Sequence, residues 1–131
     1  MLKNYTIYYV DNDPEDLAVF GKACRNLGYD TVLFDAPEKM LYSLEQRLPS
    51  VLFVDLTLPQ SSGYEITREL RLHKKFRSVP IVAYSDTSAK ANIDRVMALG
   101  ADLFIRKPMT YGEIQAAVLD AMATLNIEKH C

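Results

Sequence analysis

Val51-Leu52-Phe53-Val54-Asp55 restricts the folds open to this chain more than any other stretch. Four apolar residues run without a break into one carboxylate. A short apolar run rich in Val and Phe suits a strand covered on both faces, as in a parallel sheet. Pro59 has no amide hydrogen to give to a ladder, so the strand is over before it. Asp55 then lies at or just past the carboxyl end of a central strand, the edge at which open α/β sheets bind ligands. A carboxylate held there needs a cation, hydrogen-bond donors or a metal.

The other segments alternate around this one. Tyr5 to Val10 predicts a strand that stops at Asp11-Asn12-Asp13-Pro14, where Asp followed by Pro at a first helical position starts a helix. Leu17, Phe20, Cys24 and Leu27 recur at helical spacing up to Gly28. Asp30 to Phe34 predicts a second strand. Asp35-Ala36-Pro37-Glu38 repeats the start signal, with Asp35 expected as the cap, ahead of an apolar face of Met40, Leu41, Leu44 and Leu48. A third helix is expected from about Gly63 to His73, and a strand from Pro80 to Ser85. A helix beginning at Asp86-Thr87-Ser88 turns Ile93, Val96 and Met97 to one side and ends at Gly100. Asp102 to Arg106 predicts the last strand. Ile114, Ala117, Val118, Ala121, Met122 and Leu125 mark the last helix. Five strands alternating with five helices through short connections predict a doubly wound parallel sheet, with right-handed crossovers putting helices on both faces.

Length and charge narrow the functions open to such a chain. Its 131 residues predict one domain spanning 1–131, with a core of about 4–125 and a polar tail at 126–131. A net charge of −2 without a basic stripe points away from nucleic acid and from anionic membrane. No apolar run approaches a membrane span. The opening Met1-Leu2-Lys3-Asn4 lacks a signal-peptide layout, so a cytoplasmic location is expected. Cys24 on an apolar helix face reads as a buried inert thiol, and a disulfide to Cys131 has no support.

Side chains at the carboxyl ends of neighbouring strands share one rim. Asp11, Asn12 and Asp13, then Asp55, Ser85 and Lys107 are delivered there by four different strands. Carboxylates, a hydroxyl and an ammonium in one place suit a hard cation such as Mg²⁺, which takes one or two carboxylates with water and phosphate oxygens. They equally suit phosphoryl transfer, which asks for position and charge neutralisation. Carboxylates are known phosphoryl acceptors.

Val-Asp-Asn-Asp-Pro at 10–14, Asp55 followed by Pro59 and Gly63, Pro80 through Ser85, Ala98-Leu-Gly-Ala-Asp and Lys107-Pro108 occur in order over about residues 4–125. In this the chain resembles the response-regulator receiver domain of two-component signalling. The resemblance implies a flavodoxin-like sheet of strand order 2-1-3-4-5. It implies Asp55 as phospho-acceptor, Asp11 as the first of an acidic pair, and Thr57 as the residue whose backbone carbonyl meets Mg²⁺. It further implies Ser85 and Lys107 as phosphoryl-binding groups, Phe104 as the switch aromatic and a cis bond before Pro108. A histidine kinase or phosphotransfer protein would be the donor. Self-phosphorylation from a phospho-donor and slow autodephosphorylation would replace conventional enzyme activity. The face of helix 4, strand 5 and helix 5 would bind an output protein or a second copy. One residue departs from the pattern: Asn12 stands where the second acid of the pair, a direct metal ligand, is usual. This leaves a degenerate receiver with weakened metal binding, acting as a constitutive interaction module, as the alternative.

Simpler roles account for other residues. Asp13 reads as a helix cap, Tyr5, Tyr8 and Tyr9 as core packing, and Lys74 to Arg77 as a solvated loop. A phosphohydrolase of the haloacid-dehalogenase type would want a second aspartate where Thr57 stands, and a dinucleotide binder would want a glycine-rich loop after the first strand.

Overall fold

A computed structural model describes residues 5–58 and 62–127. Pro59 and Cys131 lie outside the described residues. The elements are β1 (Thr6–Val10), α1 (Pro14–Asn26), β2 (Asp30–Phe34), α2 (Pro37–Gln46), β3 (Val51–Asp55), α3 (Gly63–Leu72), β4 (Ile81–Ser85), α4 (Lys90–Ala98), β5 (Leu103–Arg106) and α5 (Tyr111–Thr124). The strands form one parallel sheet in the order β2-β1-β3-β4-β5.

Alternation along the strands sorts the core into two layers. Tyr8, Val10, Leu52, Val54, Ile81 and Ala83 meet Met40, Leu44, Ile66, Leu70 and Val96 on one face. Ile7, Tyr9, Val51, Phe53, Val82 and Tyr84 meet Phe20, Ala23, Cys24, Ile114, Val118 and Met122 on the other. The three central strands β1, β3 and β4 are buried along their whole length. The chain reversals rest partly on glycine. Gly28 and Gly100 follow α1 and α4 with φ of 94° and 117°, the left-handed region that side chains avoid.

Several expectations change. Asp35 does not cap α2: Ala36 occupies that position without a side-chain bond, and Asp35 instead pairs with Lys39 at 2.8 Å. Pro37 at the first helical position displaces the cap by one residue. Leu48 lies beyond the end of α2 and is exposed, and Met97 is exposed on α4. Helix α4 begins at Lys90 rather than at Asp86–Ser88. The Lys107–Pro108 bond is trans. Within the basic loop after α3, Phe76 is buried and Lys75 pairs with Glu45 at 2.9 Å.

Away from the rim, one guanidinium ties the loops leading into β4 and β5. Arg71 donates from Nε to the Gly100 carbonyl at 2.7 Å and from Nη1 to the Arg77 and Val79 carbonyls at 3.1 and 2.8 Å. Its Nη2 pairs with Asp102, whose carboxylate also accepts from the Ile81 amide at 2.8 Å.

Candidate functional site

The ladder carries each site residue to the same rim. Past the end of β1 the Asp11 amide donates to the Phe34 carbonyl at 3.0 Å. Past the end of β5 the Lys107 amide donates to the Ser85 carbonyl at 2.8 Å. Asp55 is the last residue of β3, in register with Tyr84, and Ser85 is the last of β4. Asp11, Asp55, Ser85 and Lys107 are thus placed together as expected.

Their contacts are specific. The Lys107 ammonium donates to Asp11 Oδ2 and Asp16 Oδ2 at 2.8 Å each and stands 3.6 Å from Asp55 Oδ1. Side-chain exposure is 1% for Asp11, 2% for Asp55, 8% for Lys107 and 35% for Asp16. The Tyr9 hydroxyl also donates to Asp11 Oδ2, and the Asp13 amide donates to Asp11 Oδ1 at 2.9 Å. Asp55 Oδ1 accepts from the Thr57 amide at 3.3 Å and the Thr57 hydroxyl at 3.2 Å. Ser85 is fully buried, and its Oγ accepts from the Thr87 amide at 3.3 Å. Phe104 is half-buried against the α2–α3–α4 layer of the core. Asn12 is exposed on the loop between Asp11 and Asp13.

The floor beneath these charges is aromatic. Tyr9, Phe20, Phe53 and Tyr84 pack with ring centroids 4.3 to 5.8 Å apart. Water is excluded there, so burial and the neighbouring Asp11 charge push Asp55 up to about 6. Burial would also raise Asp11, but hydrogen bonds from Lys107 and Tyr9 outweigh it and hold Asp11 below the usual carboxylate range. Burial would lower Lys107, but its bonds to Asp11 and Asp16 outweigh it and raise the ammonium above its usual value. Tyr9 is raised by burial first and by Asp11 second, so its hydroxyl stays a donor.

Helix α3 approaches the end of β3 closely because its first residue is glycine. The Gly63 amide donates to the Leu56 carbonyl at 3.3 Å. A β-carbon on Gly63 would stand 2.4 Å from the Asp55 carbonyl oxygen and 2.8 Å from Leu56 Cα.

The donor set fits a hard divalent cation. Two adjacent buried carboxylates repel one another, which is what raises Asp55 beyond the effect of burial. The Thr57 hydroxyl oxygen stands 3.2 Å from Asp55 Oδ1, and Asn12 lies on the exposed loop that follows Asp11. Among the described residues no three acidic, imidazole or thiol groups form a dedicated metal cage. One or two carboxylates with neutral oxygens and water are nonetheless what Mg²⁺ accepts.

Two residues of the network escape a reading of the sequence. Tyr9 reads there as packing alone, although it also donates to Asp11. Asp16 carries no signal: it falls in the first turn of α1, where acids are common for the helix dipole alone. The capping role of Asp13 holds, with its Oδ1 accepting from the Glu15 amide at 2.9 Å.

A parallel sheet of this order with an acid pair and a lysine at its carboxyl rim defines a flavodoxin-like α/β protein with a charged switch-point site. The chain belongs to the response regulator receiver domain family, whose model matches residues 7–119. It is therefore a receiver domain of two-component signalling, a class that interacts with histidine kinases and phosphotransfer proteins. An uncharacterized 76.5 kDa protein of Thiocystis violacea is 30% identical over 117 residues, which are 87% of this chain and 16% of that protein. The polar-differentiation response regulator DivK of Brucella ovis is 23% identical over 105 residues, covering 80% of this chain and 85% of DivK. Among solved structures, the receiver domain of sensor histidine kinase PA1611 from Pseudomonas aeruginosa PAO1 is 25% identical with a TM-score of 0.77. It covers 90% of this chain and 97% of its own, and holds a magnesium ion in its active-site cleft. Among the described residues no helix is long and apolar enough to cross a membrane.

Proposed function

We propose that this receiver domain is switched by phosphorylation of Asp55. The observation that carries this reading is a buried carboxylate at the end of β3, set beside Asp11 and 3.6 Å from the ammonium of Lys107. At neutral pH such a group is mostly ionised and so nucleophilic. Its oxygen attacks the phosphorus of a phosphohistidine on a histidine kinase or phosphotransfer protein, the N–P bond breaks, and the imidazole leaves with the electron pair. Mg²⁺ held by Asp11, Asp55, the Thr57 carbonyl and Asn12 would supply charge neutralisation for the phosphoryl oxygens. Lys107 pairs with the new dianion, which carries about −1.5 to −2 charges by analogy with phosphomonoesters. The Ser85 hydroxyl leaves the Thr87 amide to donate to a phosphoryl oxygen, and Phe104 repacks against the core behind it. The face formed by α4, β5 and α5, where Met97 and Met109 are exposed, binds the output protein or a second copy. The receiver acts in the cytoplasm.

The test is to add Mg²⁺ with acetyl phosphate or beryllofluoride and follow the amides near Ser85 and Phe104 by NMR. Shifts that vanish in Asp55→Ala are expected. Absence of shifts, or identical shifts in the variant, refutes the reading. Asn12 supports a second reading, in which the domain binds partners constitutively because metal binding is too weak. Calorimetry decides between them: Mg²⁺ binding that appears only in Asn12→Asp favours the second.

A further inference from the structure

We infer that Asp16 is a positioning residue that holds Lys107 back from Asp55. The inference rests on the reading of Asp55 as phospho-acceptor, to which it adds a control on the lysine. An ammonium has three N–H donors. Lys107 commits two of them at 2.8 Å, to Asp11 and to Asp16, and leaves Asp55 at 3.6 Å, outside hydrogen-bond reach. Asp11 is fixed from three sides by Tyr9, Asp13 and Lys107. Asp16 is different. It rises from the first turn of α1, it is the most exposed of the three carboxylates, and it borders a cleft with Val19, Lys107, Pro108 and Met109.

That arrangement gives the lysine two resting partners of unequal hold. Water can replace the ammonium at Asp16 but not at Asp11, which is buried. A phosphoryl group on Asp55 therefore draws Lys107 off Asp16 first. Until then Asp16 keeps one donor of the lysine away from the acceptor. The hydrogen bond of Asp16 at the rim is to Lys107, so its hold on the acceptor's surroundings runs through the lysine.

The test measures initial rates of Asp55 phosphorylation from acetyl phosphate with Mg²⁺, by intact-protein mass, and adds crystal structures of the wild type and Asp16→Ala. Asp16 is partly exposed, so releasing its hold is expected to raise the rate by about fivefold in Asp16→Ala, with Asp16→Glu close to wild type. The gain is expected to disappear when Asp16→Ala is combined with Lys107→Met. Equal rates for wild type and Asp16→Ala, or a gain that survives in the Lys107→Met background, overturn the inference. If no protein is labelled, the reading of Asp55 as acceptor fails, and the crystal structures decide the inference alone. Lys107 Nζ within hydrogen-bond reach of Asp55 in Asp16→Ala supports it; Nζ as far from Asp55 as in the wild type overturns it.

Discussion

Replacing Asp55 with asparagine should make this protein more stable, and the gain should depend on pH. Asparagine keeps the shape of the side chain, and its amide oxygen can still accept from the Thr57 amide that now serves Oδ1. It removes the charge that burial and Asp11 disfavour. Folding raises Asp55 from 3.8 to about 6. Roughly two pKa units correspond to about 3 kcal/mol. The attraction of Lys107 is already contained in that net shift.

The folded value lies above the unfolded one. Asp55 therefore favours the fold fully below about pH 4, and this contribution is lost as pH rises through about 6. The amide of the Asp55→Asn variant does not titrate and suffers no such loss. At pH 7.5 Asp55→Asn should exceed wild type by about 3 kcal/mol, or about 10 °C in melting temperature for a domain of this size. The gap should close as pH falls to 4. Asp11, held low, contributes stability that is lost only as pH falls through its folded value, below the range compared. Urea and thermal unfolding in chelator from pH 4 to 8, followed by circular dichroism, make the comparison. A variant no more stable than wild type at pH 7.5, or a gap independent of pH, would falsify the account of the site's electrostatics.

Gly63→Ala should lose about 2 kcal/mol, because the added methyl meets the backbone of Asp55 and Leu56 and one element must shift; urea unfolding measures the loss, and amide shifts confined to β3 and the start of α3 locate it. Asp13→Ala should lose about 1 kcal/mol through the α1 cap, whereas Asp35→Ala should leave the unfolding midpoint in place, since Asp35 makes only a surface pair.

Much of the fold was legible because β1, β3 and β4 are buried on both faces, so their sequences are near-continuous apolar runs that end at chemistry-bearing residues. Val51–Val54 alone suffice to place Asp55 at the rim. The errors arose where two local rules compete. Asp35 and Ala36 both precede Pro37, and the fixed φ of proline gave the cap position to the residue without a capping side chain. Leu48 continues a helical spacing, but the chain has already turned to extended backbone at Arg47, with φ of −159°. Tyr9 and Asp16 escaped notice for a different reason. A tyrosine in a strand and an acid in a first helical turn are each common without any site, and only the distance across the rim distinguishes them.

Arg71 has a mechanical consequence. By grasping Gly100 and Asp102 together with the backbone before β4, it anchors the carboxyl-terminal end of α4 far from Asp55. The amino-terminal end of α4 has no such fastening: Ala89 caps it without a side-chain bond. A load applied from the rim at Ser85 would therefore meet the helix at its unfastened tip, opposite the one that Arg71 holds.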